Sequence, residues 1–108
     1  MPEAVVVLST VGSEAEASKI AGTLVERGLA ACVNVVSGVN STYRWQGKVQ
    51  TEAEWLLLIK TGRDRFEDVR AAIRELHSYQ VPEIVMLEIK EGDASYLAWL
   101  DAATSGAG

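Results

Sequence analysis

The residues best equipped for chemistry lie in one short segment, His77-Ser78-Tyr79-Gln80-Val81-Pro82-Glu83, which holds the only histidine of the chain. An imidazole can ligate a metal or exchange a proton near neutral pH. A phenol, an amide and a carboxylate accompany it. Polar groups gathered in a turn between two regular elements are where sites are commonly built on a rigid scaffold. The plainer alternative for His77 is a histidine that closes a helix, bonded to carbonyls and favoured there by the helix dipole.

A second candidate is Cys32, within Leu29-Ala30-Ala31-Cys32-Val33-Asn34. It reads either as a small buried hydrophobe or as a thiolate ligand for copper or another soft metal. Tyr43, Trp45 and Trp55 flank a turn at Gly47. Such a cluster suits packing or an interface, or the wall of a small-ligand cleft. Glu52, Glu54, Lys60 and Glu83 lie in or beside predicted strands. Glu52 reads as a solvated hairpin residue. Glu54 and Lys60 have the same side-chain parity and point to one sheet face, where a charge needs a partner. An ion pair between subunits is at least as well motivated there as a catalytic role.

Several chemistries find no support. The chain has no glycine-rich phosphate loop, no G-x-S-x-G and no H-E-x-x-H. Gly47-Lys48-Val49-Gln50 matches only a fragment of the acylphosphatase motif. An RNA-recognition domain needs strand aromatics and a basic surface. Here 10 basic residues face 15 acidic ones, for a net charge of -5. That balance disfavours nucleic acid and anionic membranes as partners.

The elements that must position these groups follow from patterning. At 108 residues and 48% hydrophobic content, one folded domain over 1–108 is expected, with 103–108 as a flexible tail. A lone cysteine excludes an internal disulfide, and the first apolar run is too short for a membrane span and lacks the basic start expected of a signal peptide. A cytoplasmic protein is therefore expected. Ala4 to Thr10 is β-branched and predicts a strand. Ser13 with Glu16 forms a capping box opening a helix over 13–27. Strands are predicted from Leu29 to Val36, from Ser41 to Trp45 after a bend or bulge at 37–40, and from Val49 to Thr61 after a turn at Gln46-Gly47-Lys48. Phe66, Val69, Ile73 and Leu76 predict a helix over 63–76. Glu83 to Lys90 is a fourth strand, and Asp93 caps a last helix. The order βαββαβ plus a terminal helix is the ferredoxin-like α+β arrangement.

Both faces of the predicted sheet are apolar. Val5 and Val7 oppose Val6 and Leu8; Leu57 and Ile59 oppose Leu56 and Leu58; Met86 opposes Val85 and Leu87. A solvated face would alternate with polar residues. Two helices cover one face only, so the other is expected to be covered by further copies of the chain.

Three segments together resemble the CutA family of divalent-cation-tolerance proteins. They are Leu29–Asn34, the stretch Ser41-Thr42-Tyr43-Arg44-Trp45-Gln46-Gly47-Lys48 continuing to Glu54 and Lys60-Thr61, and His77–Glu83 followed by Gly92 and Tyr96-Leu97-Ala98-Trp99. The resemblance implies a ferredoxin-like fold assembled as a homotrimer and a cytoplasmic role in tolerance of divalent cations, copper especially. It implies no enzymatic activity. It also implies a trimer similar to that of PII-type signal transducers, hence the alternative of a sensor or scaffold. Metal binding in the family is associated with a cysteine ending strand one and histidines ending helix two. The matching positions here hold Ser9 and, before the single His77, Leu76. The remaining metal-ligand set is His77, Cys32, Glu54 and Glu83, for copper or another divalent cation. The cleft set is Tyr43, Trp45, Lys60 and Tyr79, for a small ligand between subunits.

Overall fold

The computed structural model describes residues 3–105. Strand β1 (Ala4–Val11) is followed by helix α1 (Glu14–Glu26), β2 (Cys32–Trp45), β3 (Lys48–Gly62), a 3-10 turn (Arg63–Arg65), α2 (Phe66–Leu76), β4 (Val85–Glu88) and α3 (Ala94–Thr104). The sheet order is β2-β3-β1-β4, and every pairing is antiparallel. This is the expected ferredoxin-like α+β fold. No helix among the described residues is long and apolar enough to cross a membrane.

Alternation decides what is buried. Cross-strand partners share a face, and β1 pairs Val5 with Thr61, Val7 with Ile59 and Ser9 with Leu57. These six residues are fully buried. Ala17, Ile20 and Leu24 of α1 and Val69, Ala72 and Ile73 of α2 close over them. Their spacings of three and four put them on one helical stripe. The opposite face carries Val6, Leu8, Leu56, Leu58, Val85 and Leu87, none of them buried. Leu87 is 53% exposed. The apolar open face read from the sequence is therefore present in the fold.

Element boundaries differ from expectation at three places. Strand β2 starts at Cys32 because Leu29 and Ala30 donate their N–H groups to the Leu24 carbonyl, finishing α1 instead of pairing. Strand β4 is only Val85–Glu88, so Glu83 lies before the strand rather than in it. Ala103 and Thr104, expected in the tail, belong to the last helix. Helix α3 runs through Thr104, which is buried, bonds Leu100 O through Oγ1 at 3.1 Å and accepts Arg65 Nε at its carbonyl at 2.7 Å. Residues 106–108 lie outside the described residues.

The β2–β3 hairpin positions the site. Its two-residue loop, Gln46-Gly47, has both residues at positive φ, 51° and 80°. That is the turn whose twist matches the paired strands. The bulge expected at 37–40 is present, with Gly38 at φ 77°. Val36 pairs with Leu56 but Val39 pairs with Glu54, so β2 advances three residues while β3 advances two. The extra residue reverses the parity of β2 relative to β3. Before the bulge, Cys32, Asn34 and Val36 share a face with Lys60, Leu58 and Leu56; after it, Ser41, Tyr43 and Trp45 share that face with Glu52, Gln50 and Lys48.

Candidate functional site

The bulge, the hairpin and the 77–83 turn together form a cleft of about 660 Å3. Glu52, Glu54, Glu83, Tyr43, Trp45 and Tyr79 line it, with Thr10, Ser41, Thr42, Gln50, Gln80 and Val81. Of the sequence candidates, Glu54, Glu83, Tyr43, Trp45 and Tyr79 are brought together here, whereas His77, Cys32 and Lys60 are not.

Tyr79 is the link between the turn and the sheet. Its hydroxyl donates to Glu54 Oε2 at 2.7 Å. Burial, and then the bond to the Glu54 carboxylate, push its phenol well above the ordinary range. Tyr43 sits across the hairpin. Its hydroxyl is within bonding distance of Gln50 Oε1, at 3.2 Å, and donates to Glu52. That bond raises the Tyr43 phenol, with burial and the nearby carboxylates adding to it. Both phenols are therefore neutral donors near pH 7. Glu52 is exposed on the hairpin, as a solvated hairpin residue should be, and it also lines the cleft beside Glu54. The signal was available, because residues two apart on a strand share a face.

His77 performs a different task. Its side chain is fully buried. The Tyr79 N–H donates to Nδ1 at 3.1 Å, which leaves Nδ1 without a proton. Nε2 therefore carries the proton and donates to the Thr10 carbonyl at 2.7 Å. A neutral imidazole with both nitrogens engaged fastens the end of α2 to the end of β1 and holds Tyr79 in place. As the plainer alternative expected, the ring bonds a carbonyl, and that carbonyl belongs to Thr10 of β1. Glu16 helps. Ser13 Oγ accepts the Glu16 N–H, as a capping box requires, but the Glu16 carboxylate accepts Ser78 N–H and Oγ–H at 2.6 and 3.1 Å. Sequence spacing could not show that use of Glu16, since Ser78 is 62 residues away.

The remaining candidates lie elsewhere. Cys32 pairs with Lys60 at the other end of the open face. Lys60 pairs with Val6, four residues along β1 from Thr10, or about 13 Å at the strand rise. Lys60 Nζ donates to Asn34 Oδ1, an amide within its own chain. Ser9 sits under the helices, fully buried, with no bond to its hydroxyl among the described residues. It faces neither the cleft nor solvent. Among the described residues no group of three or more His, Cys, Asp or Glu side chains is arranged to hold a metal ion. The donors in the cleft are oxygens, which suit hard divalent cations better than soft copper.

Known proteins share this chain's sequence and shape. The family model described as CutA1 divalent ion tolerance protein matches residues 5–103. The divalent-cation tolerance protein CutA of Thermus thermophilus is 54% identical over 95 residues, covering 88% of this chain and 92% of that protein. A chloroplastic protein, CutA 1 of Oryza sativa, is 43% identical over 93% of this chain and 56% of its own length. The solved T. thermophilus CutA1 structure superposes with a TM-score of 0.92 at 51% identity, covering 94% of this chain and 99% of that one.

Proposed function

This chain belongs to the CutA1 divalent ion tolerance protein family, and we propose that it acts in the cytoplasm as a non-catalytic homotrimer that contacts divalent cations weakly through its acidic cleft. The carrying observation is the cleft itself, whose lining includes Glu52, Glu54 and Glu83 and no basic side chain. Two exposed carboxylates, Glu52 and Glu83, are too few for a closed coordination shell. A hydrated cation that keeps several waters is the species they suit. Copper(II) binds the same oxygens, with hard divalent cations close competitors. His77 lies outside this reading because both ring nitrogens are engaged within the fold. Cys32 lies outside it because it sits at the far end of the open face.

The trimer is supported by that apolar open face and by β2, a long edge strand whose outer hydrogen-bonding groups invite pairing with another chain. Light scattering at micromolar concentration is expected to give three times the chain mass of 11.7 kDa; a monomer would refute the assembly. Cell fractionation tests the cytoplasmic setting.

Calorimetric titration of tag-free protein with Cu(II) and with Mn(II) tests the cation reading. Binding should be weak, reduced in Glu83→Gln and Glu52→Gln, and unchanged in His77→Ala and Cys32→Ser. Loss of binding in His77→Ala with intact fold would make His77 a ligand and reject the carboxylate reading. A second reading, a PII-like sensor or scaffold taking a small ligand between subunits, is favoured by the size and aromatic walls of the same cleft.

A further inference from the structure

The cleft presents both charge that calls for a cation and surface that a metal ion would leave unused. Glu54 is 6% exposed and accepts a bond from Tyr79. Among the described residues no base pairs with it. A carboxylate removed from water without a compensating charge is destabilising. Glu52 stands two residues along the same strand face, about 7 Å away at the strand rise. Tyr43 and Trp45 lie on the paired strand and on the same face, beyond Glu52 toward the hairpin loop, where they pair with Gln50 and Lys48 and line the cleft, and Trp45 is 39% exposed.

A hydrated metal ion would meet the carboxylates and gain little from the rings. An alkyl chain with ammonium groups uses both, because ammonium is attracted to carboxylates and ring faces while the methylenes cover apolar surface. We infer that the cleft binds an aliphatic diamine or polyamine. One ammonium lies at the Glu54–Glu52 end, the chain continues past Glu52 along Tyr43 and Trp45 toward the hairpin loop, and Glu83 faces it from the turn. The inference rests on the acidic cleft being this protein's binding site, and it names the ligand class.

The test is calorimetric titration of the full tag-free chain with spermidine at fixed ionic strength, followed in parallel by tryptophan emission. Magnesium chloride and the uncharged 1,6-hexanediol serve as comparison ligands. Spermidine should saturate and hexanediol should not. Affinity should fall about tenfold in Glu52→Gln and about threefold to tenfold in Trp45→Leu. Both residues are exposed, and circular dichroism verifies that the variants fold. Magnesium binding that depends on Glu52, with no saturable spermidine heat, overturns the amine inference and leaves the cation reading standing. No binding by either cation overturns both. Spermidine binding that ignores Trp45→Leu and is displaced by magnesium at equal ionic strength is charge screening alone, and also overturns the inference.

Discussion

The two faces of the sheet are built from nearly the same residues and have opposite fates. On one, Val5, Val7, Leu57 and Ile59 are sealed under α1 and α2. On the other, Val6, Leu8, Leu56 and Leu58 are no less apolar, yet neither helix reaches them. The covered face buries its polar groups: His77 and Thr61 act as fasteners there or at its margin, and Ser9 is buried with no bonded partner among the described residues. The open face carries Lys60 and continues past the bulge into the acidic cleft. Apolar character alone therefore does not mark the core of one chain. What separates the faces is whether the same chain supplies a helix to cover them, and a face left uncovered is available for assembly and ligands.

The largest effect should come from truncating matched residues on the two faces. Ile59→Ala is expected to lose about 2–5 kcal/mol of stability at any protein concentration. Leu58→Ala, its neighbour on the open face, should instead lower the mass seen by light scattering and make the unfolding midpoint concentration-dependent. If Leu58→Ala changes neither, the open face is not an interface, and the contrast between the faces loses its meaning.

The next effect concerns the fastener between them. His77→Ala removes both bonds of a buried imidazole and leaves a cavity, for a loss of about 2–4 kcal/mol in denaturant unfolding. Cation affinity should be retained in the folded fraction. A variant that is fully stable but no longer binds would make His77 a ligand rather than a fastener.

A smaller effect is expected at high pH. The folded state holds the Tyr79 proton more tightly than the unfolded chain does. Its contribution to stability is therefore present in full below the ordinary phenol value near 10 and lost as pH rises beyond it. Tyr79→Phe should flatten the alkaline limb of a plot of denaturation midpoint against pH. Parallel limbs in the two proteins would show that the Tyr79–Glu54 bond does not persist in solution.

The smallest effect sharpens the comparison at Ser9. Its buried hydroxyl has no partner among the described residues, so Ser9→Ala should raise stability by about 1 kcal/mol. A lower midpoint in chemical denaturation would mean that the hydroxyl is bonded after all.

Much of this protein is legible in its sequence. Alternating valines and leucines define the strands, spacings of three and four define α1 and α2, and Ser13 and Asp93 cap their helices. Local chemistry sets these features, because a side chain's face follows from its position along a strand or helix. The apolar open face was legible for the same reason, as were five of the residues that line the cleft. Three decisions were made only in the tertiary structure. The bulge at Gly38 was visible as a bend, but its reversal of parity, which carries Tyr43 and Trp45 to the face of Glu52, depends on how β2 registers against β3. The burial of His77 depends on Thr10, and the role of Glu16 depends on Ser78, partners 67 and 62 residues distant. Sequence pattern reports which groups a chain offers and which way each points locally. Which of them are consumed as fasteners and which stay free for a ligand is set by contacts between distant segments, and those exist only once the chain has folded.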